Sequence, residues 1–290
     1  MRVVLAVDAS PDSKNAAQVI RHMSEPPVLD VLNVVDEDAL KHAYISPTMP
    51  ADYLETYRRE VAEVAEQVLH EMKAELEPHC RHIRLIADSG DAAESIILTA
   101  EESHADLVIV GQRGMTATPS FLLGGVSQKV ATYAPCSVLV VKEPMAKLDR
   151  ILVAIDGSEA AHKAVEFLAR CPFKGPAQVV VVTVWPSPRS EIWGIPSGMP
   201  GRSELKQMVE DKGQELLRKI TGECANESYR LTTELLHGDP AFAIIDAAVR
   251  HQAQLIIIGS RGMKAIKRFL LGSVSEKVLV HASCSVLIVR

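Results

Sequence analysis

The sequence predicts an α/β fold made of two tandem open-sheet domains, each a five-stranded parallel sheet with helices on both faces. Three observations carry that prediction. The chain repeats itself: Asp8 and Asp156, Gly111 and Gly259, and Gly90-Asp91 and Gly238-Asp239 all stand 148 residues apart. About 19 of the 32 positions in 111–142 recur identically in 259–290. Within each copy, short apolar runs alternate with longer segments of helical spacing, the pattern of right-handed βαβ units. The first run, Val3–Val7, is apolar throughout rather than alternating, which suits a strand covered on both faces. The copies are assigned to residues 1–143 and 149–290, joined near Glu143-Pro144-Met145-Ala146-Lys147.

The first copy opens on a strand at Val3–Val7. A helix follows, with Ser10 as cap and Pro11 at the first helical position, where a missing N–H costs nothing. Val28–Val35 is the second strand, and residues 36–51 form a loop containing Pro47 and Pro50. From Asp52 to Glu77, Leu54, Tyr57, Val61, Val64, Ala65, Val68, Met72 and Leu76 recur at helical spacing. Then come a strand at Ile83–Ala87, a helix at Ala92–Ser103, a strand at Leu107–Val110, a helix from Val126 and a last strand at Val138–Val141. The second copy repeats the order, with strands near 151–155, 178–184, 230–236, 255–258 and 286–289. Its loop from Pro186 to Arg202, rich in proline and glycine, is too long for a simple connector.

Chemistry concentrates at Gly259-Ser260-Arg261-Gly262, followed nine residues later by Gly272-Ser273-Val274-Ser275. These residues connect the strand Leu255–Ile258 to a helix. Glycines there let backbone come close to a ligand, and a helix opening presents N–H groups and a positive dipole end to an anion. The pattern is that of a phosphate cradle. The switch-point rule for open α/β sheets places a ligand beside it and brings Asp156, at the end of the strand Ile151–Ile155, to the same place.

The spacing Gly-x-x-Gly-x9-Gly-Ser resembles the nucleotide-binding signature of the universal stress protein family. Asp156, the turn His237-Gly238-Asp239-Pro240 and the ending Cys284-Ser285-Val286-Leu287-Ile288-Val289 extend the resemblance over nearly all of residues 150–290. It implies a strand order of 3-2-1-4-5 in each domain and an adenine nucleotide, ATP, where strands 1 and 4 diverge. Gly259, Arg261, Gly262, Gly272, Ser273, Val274 and Ser275 would surround the phosphates, and Asp156 would take the ribose. Val184 would line the adenine slot, through alignment of Thr183-Val184-Trp185 with Asn33-Val34-Val35. A magnesium ion would bind through phosphate oxygens, since no carboxylate cage is visible. Asp8, Gly111, Gly114, Gly124 and Ser127 are the matching residues of the first copy.

The two copies differ. Gly124-Gly125 replaces Gly272-Ser273, and Thr116, Pro119 and Ser120 stand where the second copy has Lys264, Lys267 and Arg268. The second domain is therefore expected to be the main nucleotide site.

Other classes are disfavoured. A net charge of −6 offers no surplus of cations for nucleic acid. No run reaches the eighteen or so apolar residues of a spanning helix, and Asp8 interrupts the N-terminal run too early for a signal peptide. Five dispersed cysteines fit reduced thiols, and a cytoplasmic location follows. Neither a P-loop, nor Gly-x-Gly-x-x-Gly after a first strand, nor Gly-x-Ser-x-Gly is present.

His79, Cys80 and His82 match no standard zinc spacing, and Glu101-Glu102 read as a solvated helix end. Asp8 and Asp156 have an alternative role as helix caps. Two other functions stay open: a scaffold holding no ligand, and a slow ATP hydrolase, although no general base can be named and binding is preferred to catalysis.

Each copy also ends in an apolar strand that would form a sheet edge needing cover. In the resembled family single domains dimerise through this strand, which implies an internal pseudo-dimer here. The eight-residue linker from Lys142 to Asp149 reaches about 26–29 Å when extended, enough to permit it. A homodimer between chains is the alternative.

Overall fold

The computed structural model describes residues 1–35, 51–115, 122–170, 173–185, 202–223, 229–262 and 271–290. The loops at 36–50 and 186–201 lie outside them, as do Thr116, Pro119, Ser120, Lys264, Lys267 and Arg268. So do the side chains of Leu54 and Tyr57. The chain forms two compact units, Met1–Lys147 and Leu148–Arg290.

Unit 1 contains β1 (Arg2–Ala6), α1 (Pro11–Gln18), β2 (Val28–Val35), α2 (Ala51–Leu76), β3 (His82–Ser89), α3 (Ala92–Glu102), β4 (Leu107–Gly111), α4 (Gly125–Tyr133) and β5 (Ser137–Val141). Its strands are parallel and run in the order β3-β2-β1-β4-β5. Val3, Val4 and Leu5 in β1 and Leu107, Val108 and Ile109 in β4 are fully buried, as expected of strands with helices on both faces. On α2 the buried stripe is Ala65, Leu69, Met72 and Leu76, while Val64 turns outward at 52% exposure. The helical spacing in the sequence located the helix, and packing on β2 and β3 selected its inner face.

Among the described residues of this unit, two charged side chains are buried, Asp30 and Lys142. Asp30 in β2 is 3% exposed and receives two hydrogen bonds from Arg84 of β3, at 2.9 and 2.7 Å. A buried carboxylate needs such a partner, and the bidentate fork supplies charge and geometry together. Cys80, half-buried after α2, has its thiol pushed up to about 11 by burial, so it stays protonated at neutral pH. Near the chain's midpoint, the His22 ring Nε2 lies 2.6 Å from the carbonyl oxygen of Met145, which ties residues 142–147 to unit 1.

Unit 2 contains β6 (Arg150–Ile155), α5 (Glu159–Ala169), β7 (Ala177–Trp185), α6 (Arg202–Glu223), β8 (Tyr229–His237), α7 (Pro240–Arg250), β9 (Leu255–Gly259), α8 (Ser273–His281) and β10 (Ser285–Val289). The order is β8-β7-β6-β9-β10, again parallel. In each unit this is the expected order 3-2-1-4-5. After β6 the chain moves to β7 on one side, and β8 is followed by a crossover to β9 on the other. The crevice above the C-terminal ends of β6 and β9 is therefore the switch point. Among the described residues, no helix is long and apolar enough to cross a membrane.

Candidate functional site

Four helices with described starts are closed by a side chain. Ser10 caps α1, Asp91 caps α3, Ser158 caps α5 and Asp239 caps α7. The two helices that follow the glycine motifs differ. α4 begins on Gly124 and α8 on Gly272, and neither has a side-chain cap. A helix opening left without a side-chain acceptor keeps N–H groups and a positive dipole end available to an external anion.

Gly272 is held in place by its own N–H, which donates to the Ser260 carbonyl at 2.8 Å. Gly124 makes the same bond to Gln112 at 2.9 Å. Each motif thus folds its second glycine segment back over its first. Ser275 and Ser127 take part in a way the sequence did not show. Both are buried, and their hydroxyls donate to the strand-end carbonyls of Gly259 and Gly111, at 2.7 and 2.6 Å. Their side chains therefore brace the loop, and what they direct towards the helix opening is backbone. Ser273, by contrast, is exposed at the first turn of α8.

The aspartates sit beneath these loops. Asp156 is exposed and accepts from the Ser158 N–H at 2.9 Å, while Ser158 itself is the cap of α5. The N-cap role considered for Asp156 thus belongs to the serine two residues later, and Ser10 has the same place after Asp8. Asp8 is more enclosed. One of its oxygens accepts from both the N–H and the hydroxyl of Ser10, and the other accepts from the Met115 N–H at 2.9 Å.

Glycine at the two motif positions meets different demands. A Cβ on Gly262 would stand 2.7 Å from an Asp156 carboxylate oxygen, and one on Gly114 would stand 2.8 Å from Asp8. Absence of a side chain here lets the carboxylate approach the loop. A Cβ on Gly259 would instead lie 2.7 Å from the Ala160 carbonyl carbon, and on Gly111 2.7 Å from that of Asp12. These first glycines let α5 and α1 pack against β9 and β4. Gly259→Ala should therefore lower stability by about 1–3 kcal/mol through overpacking, read as a lower urea midpoint without any ligand. An unchanged midpoint would show that the helix yields at no cost.

Val184 lies half-buried near the end of β7, in register with Leu236, as Val34 is with Asp88. Gly238 donates to the Trp185 carbonyl just as Gly90 does to that of Val35. Equivalence of Thr183-Val184-Trp185 with Asn33-Val34-Val35 thus has a structural basis. The switch point gathers Asp156, Gly259, Arg261, Gly262 and Gly272 to Ser275, with Val184 one strand away.

Electrostatics elsewhere is ordinary ion pairing. The backbone N–H of Glu94 and the Lys129 ammonium hold the Asp91 carboxyl below its usual value. Burial opposes ionisation of Glu234, but hydrogen bonds from His251 and Arg250 outweigh it and lower its pKa. Among the described residues, no cluster of histidine, cysteine or carboxylate side chains could hold a metal.

Two tandem open α/β domains, each with glycines of a strand-to-helix connection set against an aspartate at its switch point, define a duplicated α/β architecture. The universal stress protein family model matches residues 1–142 and again 147–290, and the chain belongs to that family as a tandem member. A universal stress protein of Methanocaldococcus jannaschii is 32% identical over 142 residues, covering 49% of this chain and 81% of that protein. Universal stress protein YxiE of Bacillus subtilis is 30% identical over 148 residues, covering 49% of this chain and 99% of its own. A crystal structure of a universal stress protein from Archaeoglobus fulgidus covers 100% of this chain and 98% of its own, with a TM-score of 0.68. Its 22% identity speaks for the fold alone.

Proposed function

We propose that the second domain binds an adenine nucleotide, ATP, with its phosphates at the opening of α8 and its ribose against Asp156. The observation that carries this reading is the uncapped start of α8 on Gly272, beside the exposed Asp156 carboxylate, at the switch point. Backbone N–H groups of Ser273, Val274 and Ser275, the Ser273 hydroxyl and Arg261 supply donors for an anion. Val184 supplies an apolar wall for the base. Magnesium would be held through phosphate oxygens.

A ligand that binds only the folded state raises its melting temperature, by the equivalent of about 2.7 kcal/mol at one hundred times its dissociation constant. Heating the purified protein with and without magnesium ATP is the test. A clear upward shift supports the reading; no shift, with no nucleotide in mass spectra of the purified protein, would reject it. Binding rather than turnover is the proposed activity, so phosphate release over hours should stay at the level of a protein-free control.

Asp156→Ala should weaken nucleotide binding. A carboxylate accepting from ribose hydroxyls contributes roughly 1.5–3 kcal/mol, which is about 10- to 150-fold in affinity. The melting temperature should fall by only a few degrees, because Ser158 still caps α5. Unchanged affinity with a large drop in melting temperature would make Asp156 a structural residue.

A further inference from the structure

The two glycine motifs are near copies, yet their immediate surroundings carry different charge. Asp12, in the first turn of α1, accepts from the backbone N–H of Arg113 at 3.1 Å. The same carboxylate oxygen lies 3.5 Å from the Arg113 Nε. One acidic side chain therefore engages both the backbone donor and the guanidinium of the first Gly-x-x-Gly segment. Its side chain is only 18% exposed, so little solvent screens its charge.

In the second domain that place is held by Ala160. The equivalence is structural, since Gly111 packs on the carbonyl carbon of Asp12 and Gly259 on that of Ala160, each at 2.7 Å from an added Cβ. The backbone frames coincide and the carboxylate is present in one domain alone. We propose that Asp12 closes the first domain's glycine motif to polyphosphate ligands, and so confines nucleotide to the second domain. This inference rests on the nucleotide reading of the motif. The physical cause is substitution: an internal carboxylate engages the guanidinium of Arg113, the counterpart of Arg261, together with that residue's own N–H. Its negative charge also stands beside the loop such a ligand must approach.

The test titrates the full chain with magnesium ATP by calorimetry, comparing wild type with Asp12→Ala, Asp12→Asn and Ala160→Asp. Wild type should bind one equivalent. Asp12→Ala and Asp12→Asn should each tighten first-domain binding at least tenfold, seen as a second equivalent. Ala160→Asp should weaken the second-domain site at least tenfold. Asparagine keeps an acceptor for the Arg113 N–H but lacks the charge, so a gain in alanine alone would overturn the charge-based closure.

One equivalent in both Asp12 variants, together with full affinity in Ala160→Asp, would overturn the proposal while leaving the nucleotide reading intact. Two equivalents in wild type would also overturn it. No binding in wild type but one equivalent in Asp12→Ala would uphold the closure and reject the second domain as the site. No binding in any variant would reject both. Circular dichroism melts of each variant confirm that folded protein is being compared.

Discussion

Leu287→Lys should unfold the second domain or drive it into aggregates. Leu287 sits in the middle of β10, is 0% exposed and lies in register with Ile257 of β9. All five residues of β10 are buried, and α5 and α8 pack against the strand. Removing a buried leucine side chain costs about 2–5 kcal/mol on its own. Lysine adds a charge that must stay hydrated or lose its proton, and fully buried lysines shift by as much as about 3–5 pKa units to do so. Together these effects exceed about 4 kcal/mol, a large part of the roughly 5–15 kcal/mol that stabilises an ordinary domain. Urea denaturation and light scattering check it. The same midpoint and the same compact particle would mean that β10 contributes little to the fold.

Gly272→Val should reduce ATP affinity at least a hundredfold and also lower stability by about 1–3 kcal/mol through crowding. The backbone at Gly272 has φ −70° and ψ 149°, a conformation that valine accepts without strain. The loss therefore comes from occupied space. A Cβ here stands 3.3 Å from the Arg261 Cα and 3.4 Å from the Ser260 carbonyl oxygen, so valine pushes apart the two glycine segments beside the start of α8. Phosphate can then no longer reach the N–H groups of the first turn. Gly124→Val makes the same change in the first domain, where the Cβ would lie 3.1 Å from the Gln112 carbonyl oxygen. Calorimetry should find ATP binding little affected by that second change. Equal losses from the two substitutions would reject the asymmetry between the domains.

Much of this architecture was legible because the repeat is covalent and local. An offset of 148 residues aligned every strand before any contact was known. Runs such as Leu255–Ile258 could only be strands buried on both faces. Ser10 announced a helix start by its chemistry, and the glycine spacing marked the strand-to-helix turn. Such features depend on residue type and on separations of a few positions, which a sequence displays directly.

Tertiary structure alone decided which atoms those residues use. Ser275 and Ser127 read as phosphate ligands in the sequence, yet their hydroxyls donate to Gly259 and Gly111 carbonyls sixteen residues earlier. Gly259 read as space for a ligand, yet that space is filled by the backbone of α5. Asp12 carried no signal at all as an ordinary acid after Pro11. Its meaning comes from Arg113, 101 residues away in the chain and 3.1 Å away in the fold. Hydrogen bonds and steric contacts act over a few ångströms, and only the parallel pairing of β1 with β4, and of β6 with β9, brings those partners within that range.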